Sequence, residues 1–295
     1  MKLRQLTPFG LGVTEVDIGT VSSETIAELQ QLLHVHGLLV FNNQDFSDED
    51  QVRFASHLGK FTQLNPEDRQ SLVYRFNNLE GVGKGIAPWH SDNAWTPYPL
   101  KYIMLFGDNV TTNGEPLVGG TTMLANAAAA LQRLPSEVVT ELESLECALS
   151  ARRNPDDKTV RPCIEKHWAT STPYLVPNQL LTDYICDVSP ERSKELLDQV
   201  FAALYDDEHV YTHEWSNGDF VLWDNRFVHH QRTAYDEAQN RVLRRCGIAH
   251  DAEPWAVTAD EGPLESDAHL PAPPSQGRVV REGDSFRFVP EEELA

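Results

Sequence analysis

The sequence predicts a mainly β fold with helical insertions, built as a β-sandwich or jelly roll. Segments rich in β-branched and aromatic residues follow one another between residues 209 and 248, with turn residues between them. The helical patterns come in separate blocks and do not alternate regularly with strands, as they would in a parallel α/β fold. All-β folds of more than 200 residues often form one domain, so a chain of 295 residues does not require two.

The first elements are a helix and a buried strand. Residues 22–36 predict a helix that Ser22 caps and Gly37 ends. Its apolar positions share one face: Ile26, Leu29 and Leu33. The apolar run at residues 38–41 predicts a short buried strand.

The rest of the chain is predicted to contain short strands and a few separate helices. Ser47 and Asp50 form a capping-box pattern for a second helix, which is predicted to end at Gly59. Residues 126–145 predict two helical stretches interrupted near Pro135, and the pair Ser189-Pro190 begins a stronger helix. The remaining strands are predicted at residues 72–76, 102–110, 209–215, 219–224, 228–233 and 241–248.

The charge and cysteine content narrow the class of protein. Lys and Arg number 24 and Asp and Glu 45, which gives a net charge of −21 and argues against nucleic-acid or anionic-membrane partners. The four cysteines show no CxxC spacing, as expected in a reducing compartment. The N-terminal residues lack the apolar run of a signal peptide, and no apolar stretch is long enough to span a membrane. We therefore expect a soluble cytoplasmic protein.

The chain is predicted to contain one catalytic domain and an appended tail. Residues 251–295 carry six of the 18 prolines, and their 11 Asp and Glu against three Arg supply −8 of the net charge of −21. Acidic, proline-rich composition is typical of segments that do not pack completely. We therefore expect a domain over residues 1–250 and a partly ordered extension over 251–295.

The tripeptide His90-Ser91-Asp92 suggests a metal site. Side chains two apart on a strand point to the same side, so His90 and Asp92 can act together. One distant histidine would complete a facial triad of two histidines and a carboxylate, which suits non-heme Fe(II) and O2 activation. The candidates are His229 and His230, of which only one can lie on the required side of a strand. An isolated H-x-D match is weak by itself, and the alternative is an ordinary hydrogen-bonded histidine.

Basic residues lie on the strand that follows. Arg241 and Arg245 are four apart and can point inward together, whereas Arg244 points outward. A buried guanidinium requires an anionic partner, and its planar fork fits a carboxylate. The alternative is that these arginines form a solvated basic edge. That interpretation would be preferred if no metal motif lay nearby.

Several ordered motifs resemble those of the taurine dioxygenase/TfdA family. They are GLLVFNNQ at residues 37–44, FASHLG at 54–59, WHSD at 89–92, GGTT at 119–122, and WSNGD at 215–219 followed by WDNR at 223–226. The resemblance covers most of residues 1–250. It implies a double-stranded β-helix, a jelly roll, and an enzyme that uses Fe(II), 2-oxoglutarate and O2.

The resemblance also implies roles for individual residues. In the family pattern the distal histidine stands four residues after the Asn-Arg arginine, at His230, and two arginines follow 11 and 15 residues later. His90, Asp92 and His230 are thus expected to bind iron. The residues expected to bind 2-oxoglutarate are Thr122, Arg241 and Arg245, one arginine clamping the distal carboxylate and the other contacting the co-substrate, the substrate anion, or both.

The implied reaction is hydroxylation or desaturation of an unactivated C–H bond in a small molecule, with release of succinate and CO2. The presence of Asp92 favours these outcomes over halogenation. A specialised-metabolite intermediate, an amino acid derivative, and a small sulfonate or carboxylate in catabolism all fit as substrates. Four polar residues are candidate substrate contacts: Arg75, Asn77, Asn78 and Lys84.

The chain departs from the family pattern at two places, and other functions stay open. The connection at residues 111–118 is longer than usual, and no histidine matches the sulfonate-binding one of taurine dioxygenase. A zinc hydrolase could use the same ligands. A catalytically silent relative that binds 2-oxoglutarate and a structural jelly roll are further alternatives, and a homo-oligomer is compatible with the sequence.

Overall fold

The computed structural model describes residues 1–63, 71–76, 85–151, 154–236, 238–264, 277–282 and 285–290. The strands in these residues are β1 (Lys2–Gln5), β2 (Leu11–Thr14), β3 (Leu38–Phe41), β4 (Tyr74–Phe76), β5 (Ala87–His90), β6 (Tyr102–Asn109), β7 (Thr111–Thr112), β8 (Glu115–Pro116), β9 (Thr122–Asn126), β10 (Glu146–Ala151), β11 (Asn154–Pro162), β12 (Ile164–Lys166), β13 (Pro173–Leu175), β14 (Thr182–Ile185), β15 (Val210–His213), β16 (Phe220–Asp224), β17 (Val228–Arg232), β18 (Val242–Ile248), β19 (Gly277–Glu282) and β20 (Ser285–Pro290). The helices are α1 (Ser23–His36), α2 (Asp48–Ser56), α3 (Ala127–Leu131), α4 (Ser136–Leu142) and α5 (Pro190–Leu204), with a 3₁₀ turn at Asp207–His209. This confirms a mostly β fold with few helices.

The first helix begins and ends where the sequence predicts. The Ser22 hydroxyl accepts a hydrogen bond from the Thr25 N–H at 3.3 Å, which satisfies one free donor of the first turn. Gly37 ends α1 in the left-handed region with φ of 75°, and its N–H donates to the Leu33 carbonyl at 2.8 Å.

The second helix has the predicted capping box but is shorter than expected. Ser47 and Asp50 exchange side-chain and backbone hydrogen bonds. The helix ends at Ser56, three residues before Gly59. Its last turn tightens, because the N–H of His57 donates to the carbonyl three residues earlier, at 3.3 Å.

A seven-stranded sheet separates the core into two layers. Its strand order is β1-β2-β3-β16-β6-β18-β4. On β3, Leu39 and Phe41 pack with the apolar faces of α1 and α2, whereas Leu38 and Val40 pack on the opposite side. Both faces of the sheet are covered at β3, so all four residues of this strand are apolar. This continuous apolar run made β3 predictable as a buried strand.

A four-stranded sheet lies across a cavity from this one. Its order is β15-β9-β17-β5. Residues from β4, β6, β16 and β18 of the first sheet and from β5, β9 and β17 of the second line the same cavity. The sheets thus bring together residues that are far apart in the chain.

A third sheet was not predicted from the sequence. Its order is β14-β10-β11-β19-β20, and the hairpin of β19 and β20 joins it through β11. The buried residues of β10 include Ala148 and Ala151, whose weak strand preference gave little local signal.

Residues beyond 250 also contact the core. Glu253 is buried, and its carboxylate accepts hydrogen bonds from the Thr62 hydroxyl at 3.1 Å and the Gln63 N–H at 2.9 Å. Val257 is buried and bridges to Phe61. Residues 251–264 are therefore packed, and the division of the chain at residue 250 stays a prediction. Among the described helices, none has the length and hydropathy needed to cross a bilayer.

Candidate active site

Two histidines and one aspartate converge in the cavity. His90, at the end of β5, pairs in register with His230 on β17. The Asp92 Oδ1 atom lies 3.2 Å from His90 Nε2 and 3.6 Å from His230 Nε2. Within the described part of the chain, this is the group of His, Cys, Asp and Glu whose donor atoms, all within 4.8 Å of one another, could hold a metal. Two imidazoles and one carboxylate suit a divalent transition metal with open coordination positions.

Both histidines can offer a lone pair to a metal. The Nδ1 of His90 donates to the Pro88 carbonyl at 2.7 Å, so its Nε2 carries the lone pair on the side of the cluster. Burial, helped by the neighbouring His90, lowers the pKa of His230 to about 3, so its ring is neutral at pH 7. Metal binding requires this neutral form.

The adjacent His229 lies on the other side of β17. Its ring is buried, and its Nδ1 is 3.1 Å from the Tyr205 hydroxyl. His229 does not belong to the cavity lining that includes His230. The alternation of side chains along a strand therefore brings His230 to the cluster and excludes His229.

Asn225 fixes the backbone of the aspartate. Its Oδ1 accepts from the Asp92 N–H at 2.9 Å, and its Nδ2 donates to the Asp92 carbonyl at 3.0 Å. The same Nδ2 lies 3.1 Å from the Leu100 carbonyl. Sequence reasoning used this residue only as part of the WDNR motif and gave it no role of its own.

Arg245 keeps the aspartate ionised. Its Nη2 donates to Asp92 Oδ2 at 3.0 Å. Burial opposes ionisation, but His90, His230 and Arg245 together hold the pKa of the Asp92 carboxyl well below its usual range. The carboxylate therefore stays charged at neutral pH.

Arg241 and Thr122 line the same cavity. The Arg241 Nε donates to the Gly120 carbonyl at 2.8 Å, and its Nη2 lies 3.5 Å from the Thr122 hydroxyl oxygen. No carboxylate in the described part of the chain forms an ion pair with this buried guanidinium. Burial and the nearby Arg232 lower the pKa of Arg241 to about 9. A ligand carboxylate would supply the partner that a buried arginine needs.

The Gly119-Gly120 turn permits this arrangement. Gly119 has φ of 75°, and a Cβ atom there would lie 2.4 Å from the Ala234 carbonyl oxygen. Gly120 has φ of 61°, and its Cβ would lie 3.0 Å from Arg241 Cδ. Only glycine tolerates both the backbone conformation and the close approach.

The cavity has polar groups and apolar walls. Its volume is about 190 Å³. Its polar lining residues are His90, Asp92, Thr122, His230, Gln231, Arg232, Arg241 and Arg245. Its apolar lining residues are Phe76, Ala87, Ile103, Leu105, Trp223 and Leu243.

Of the four predicted substrate contacts, Arg75 is the one within the described residues, and it does not line the cavity. Arg75 lies on the outside of the sheet in ion pairs with Asp48 at 2.8 Å and Asp108 at 3.4 Å. Side chains alternate along β4, so the neighbouring Phe76 lines the cavity instead. Asn77, Asn78 and Lys84 lie outside the described residues.

Arg244 points away from the cavity, as expected, but it is buried. Helix α2 covers it, and its Nη1 donates to Asp48 Oδ1 at 2.8 Å.

A buried ionic network lies behind the cluster and was not predicted. Glu165 accepts two hydrogen bonds from Arg161, at 2.9 and 2.6 Å. The Nη2 of Arg226 and the hydroxyl of Tyr174 donate to the same carboxylate, at 3.0 and 2.7 Å. Arg226 directly follows Asn225, so this network supports the turn that holds the Asp92 backbone.

Trp215 orients the hydroxyl of Thr122. Its Nε1 donates to Thr122 Oγ1 at 3.1 Å, and an indole N–H can only donate. The Thr122 hydroxyl hydrogen is therefore left to donate to another acceptor, such as a carboxylate in the cavity.

We expect Trp215→Phe to weaken 2-oxoglutarate binding by about three- to tenfold, since one neutral hydrogen bond contributes about 0.5–1.5 kcal/mol. The measurement is the 2-oxoglutarate concentration for half-maximal turnover. Trp168→Phe is the control, because Trp168 is half-exposed and lies outside the cavity. An unchanged value in Trp215→Phe would contradict this role.

Comparison with known proteins identifies the family. The model of the "Taurine catabolism dioxygenase TauD, TfdA family" matches residues 2–246. The chain belongs to this family. The matched region contains the metal-ligand cluster, Arg241 and Arg245.

Individual members of the TauD/TfdA family are similar along most of their length. Pentalenolactone F synthase of Streptomyces avermitilis is 27% identical, over 80% of this chain and 90% of the synthase. The alpha-ketoglutarate-dependent 2,4-dichlorophenoxyacetate dioxygenase of Cupriavidus pinatubonensis is 27% identical, over 83% of this chain and 96% of its own. The structure of AAD-2 in complex with Mn(II) and N-oxalylglycine superposes with a TM-score of 0.72 and 27% identity, covering 84% of this chain and 97% of AAD-2.

Family membership establishes the class of enzyme. The chain is a 2-oxoglutarate-dependent non-heme iron dioxygenase, an oxidoreductase that uses Fe(II), 2-oxoglutarate and O2 on a small-molecule substrate. The zinc-hydrolase and structural interpretations of the sequence therefore do not hold.

Proposed function

We propose that this TauD/TfdA dioxygenase hydroxylates or desaturates an unactivated C–H bond of a small carboxylic acid with an apolar body. In the same reaction 2-oxoglutarate is converted to succinate and CO2. One observation carries the proposal: a single cavity contains the His90, Asp92 and His230 donors, buried arginines and apolar walls.

His90, Asp92 and His230 are proposed to hold Fe(II). The donor set fits this ion, because a neutral imidazole and an ionised carboxylate are the forms that bind metal. When bound, Fe(II) supplies the activation of O2 that side chains cannot perform. The protein orients the ligands, through the Pro88 carbonyl on His90 and through Asn225 on Asp92.

Arg241 and Thr122 are proposed to bind the distal carboxylate of 2-oxoglutarate. Both can donate hydrogen bonds, and the buried Arg241 is held in place by the Gly120 carbonyl. Arg245 donates to Asp92. We propose that it also contacts the ends of the co-substrate and the substrate that lie nearest the metal.

We expect Arg241→Gln to raise the 2-oxoglutarate requirement by at least about a hundredfold, because two charge-assisted hydrogen bonds at about 1.5–3 kcal/mol each would be lost. Succinate formation against 2-oxoglutarate concentration measures it. Arg245→Gln is the comparison and should mainly change substrate selection. A larger 2-oxoglutarate effect in Arg245→Gln would reverse the two assignments.

The cavity walls support an apolar substrate body. Apolar side chains line the cavity and exclude water from the reacting centre. They belong to Phe76, Ile103, Leu105 and Leu243. The C. pinatubonensis relative acts, by its name, on 2,4-dichlorophenoxyacetate, which is a carboxylate with an apolar ring. This favours the carboxylate among the substrate classes that the sequence leaves open.

We also infer that the seven-stranded and four-stranded sheets form the double-stranded β-helix of the catalytic domain. Their shared cavity supports this inference, since a jelly roll places its site between two sheets.

Substrate-stimulated succinate formation tests the proposed function. The protein is loaded anaerobically with Fe(II) and 2-oxoglutarate, mixed with pools of small carboxylic acids and neutral analogues, and started with O2. Stimulation by carboxylic acids, absent in His90→Ala, supports the proposal. Stimulation by neutral compounds alone would contradict the substrate class, and an absence of iron-dependent 2-oxoglutarate binding would contradict the site.

A further inference from the structure

The residues that precede the two proposed histidine ligands lie on the outer face of the four-stranded sheet, the face opposite to the cavity. Trp89 precedes His90 on β5, and His229 precedes His230 on β17. Side chains alternate along a strand, so Trp89 and His229 point away from the cavity that His90 and His230 line. Trp89 belongs to the same hydrophobic cluster as Ala125, which pairs with His229. Both outer side chains are almost fully buried.

Tyr205 contacts both of these outer side chains. Its ring stacks on the Trp89 indole, with the ring centroids 4.6 Å apart and the planes inclined by 7°. Its hydroxyl and the Nδ1 atom of His229 form a hydrogen bond of 3.1 Å. One side chain therefore joins β5 to β17 at the positions next to the two histidine ligands.

Helix α5 fixes Tyr205 itself. Tyr205 directly follows the last residue of α5, and its N–H donates to the Phe201 carbonyl at 3.0 Å. The Phe201 ring stacks on the Tyr205 ring with centroids 5.9 Å apart. The helix is packed in the core through Leu196, Val200 and Leu204. The tyrosine ring is thus held in place by the fold, independently of a metal.

Strand β5 is irregular at this point. His90 pairs with His230, whereas Ala87 pairs with Arg232, so two steps along β17 are matched by three along β5. This is a β-bulge, which interrupts the ladder and bends the strand. Because of the bulge, Ala87 and His90 both line the cavity although they are an odd number of residues apart. The direction of His90 therefore requires support from side chains as well as from the ladder.

We propose that Tyr205 is a positioning residue that directs both histidine ligands towards the metal. Its ring holds Trp89 outward and thereby His90 inward, and its hydroxyl does the same for His229 and His230. The proposal rests on the metal site proposed above. The centroids of the two ligand rings are 4.2 Å apart, so a small rotation of either strand would change the separation of their donor atoms.

Metal binding by the folded protein tests the role of Tyr205. Mn(II) is titrated calorimetrically and anaerobically into the wild type, Tyr205→Leu and Tyr205→Phe. We expect Tyr205→Leu to weaken Mn(II) binding by about tenfold, the lower end of the effect of residues that orient metal ligands. Tyr205→Phe keeps the ring stack and should remain within about threefold of the wild type, since it loses one neutral hydrogen bond.

Co(II) in place of Mn(II) adds a spectroscopic readout. The visible absorption of Co(II) depends on the geometry of the ligands around the ion. The spectrum should change in Tyr205→Leu and should be restored in Tyr205→Phe.

Leu196→Ala controls for a general loss of stability. Leu196 is fully buried on the same helix, but it lies more than two turns before Tyr205 and belongs to a different hydrophobic cluster from Trp89. This substitution should lower stability and leave both the Mn(II) affinity and the Co(II) spectrum unchanged.

Trp89→Leu removes the same ring stack from the β5 side. It should reproduce the weaker Mn(II) binding of Tyr205→Leu, and it provides the test if Tyr205→Leu does not fold. Wild-type affinity in folded Trp89→Leu would overturn the proposal.

The other outcomes separate this inference from the metal site on which it rests. Wild-type affinity in Tyr205→Leu, or an equal loss in Leu196→Ala, would overturn the positioning role. An equal loss in Tyr205→Phe and Tyr205→Leu would also overturn it, because the ring would then not position His90. A wild-type protein that does not bind Mn(II), or that keeps its affinity in His230→Ala, would instead contradict the metal site itself.

Discussion

Replacing His230 with alanine is expected to reduce iron-dependent succinate formation by more than about a hundredfold. The change removes one of three donor groups, and even a residue that only hydrogen-bonds to a metal ligand affects affinity or activity by about 10–100-fold. Calorimetric titration with Mn(II) should show a parallel loss of metal affinity. The remaining His90 and Asp92 cannot close the same coordination sphere.

His229→Ala is the matched control for this prediction. It removes the same side chain one position earlier on β17, where the ring contacts Tyr205 outside the cavity. A buried cavity and a lost hydrogen bond should lower stability, yet the folded protein should retain metal binding and a measurable fraction of turnover. Near-ultraviolet circular dichroism establishes that both variants are folded. If His229→Ala abolished metal binding and His230→Ala retained it, the choice of ligand would be wrong.

Replacing Glu165 with glutamine is expected to lower the free energy of unfolding by about 3–5 kcal/mol, the usual cost of breaking a buried ion pair by removing one partner. Glu165 is almost fully buried and is shared by Arg161 and Arg226. A neutral amide would leave two buried guanidinium groups without their carboxylate. Denaturant-induced unfolding, followed by fluorescence and circular dichroism, measures the change.

The contribution of Glu165 to the stability of the fold should decrease as the pH falls. Burial by itself would raise the pKa of Glu165, but Arg161 and Arg226 outweigh it and lower the pKa from 4.5 to about 2. A lowered pKa in the folded state means that the carboxylate stabilises the fold above pH 4.5 and loses this contribution as the pH falls towards 2. The difference in stability between the wild type and Glu165→Gln should therefore shrink over this interval.

Glu141→Gln is the control that distinguishes the effect of burial on stability from the effect of losing an ion pair as such. Glu141 also accepts two hydrogen bonds from one arginine, Arg192, at 3.1 and 2.5 Å, but more than a third of the Arg192 side chain and about a third of the Glu141 side chain are exposed to solvent. Exposed pairs contribute little, because water and salt screen them. Equal destabilisation by the two substitutions would show that burial of the Glu165 network is unimportant.

Local sequence patterns predicted the first elements of the chain, which pack in the core. The cap at Ser22, the capping box at Ser47 and the apolar run of β3 depend on neighbouring residues, and all three were found where expected. The strand β10 was missed, because its small buried residues become a strand only through pairing with β11 and β14.

The convergence of His90, Asp92 and His230 followed from spacing and from the family resemblance. Adjacent histidines on a strand must point to opposite sides, so only one could join the cluster. The same alternation of side chains places one predicted substrate contact, Arg75, away from the cavity. Arg75 was expected near the substrate, but the register of β4 directs it to Asp48 and directs Phe76 to the cavity.

The sequence by itself determined the family, the mostly β fold and the types of residue available for the metal and 2-oxoglutarate, because these depend on motifs and on local periodicity. The tertiary structure alone decided which further residues share the cavity and which support it. Arg232 is directed by the bond to Gly85, Thr122 by Trp215, and the Asp92 backbone by Asn225. Each of these contacts joins residues more than 90 positions apart, and such pairs become neighbours only when distant strands pair and the two sheets assemble around the cavity.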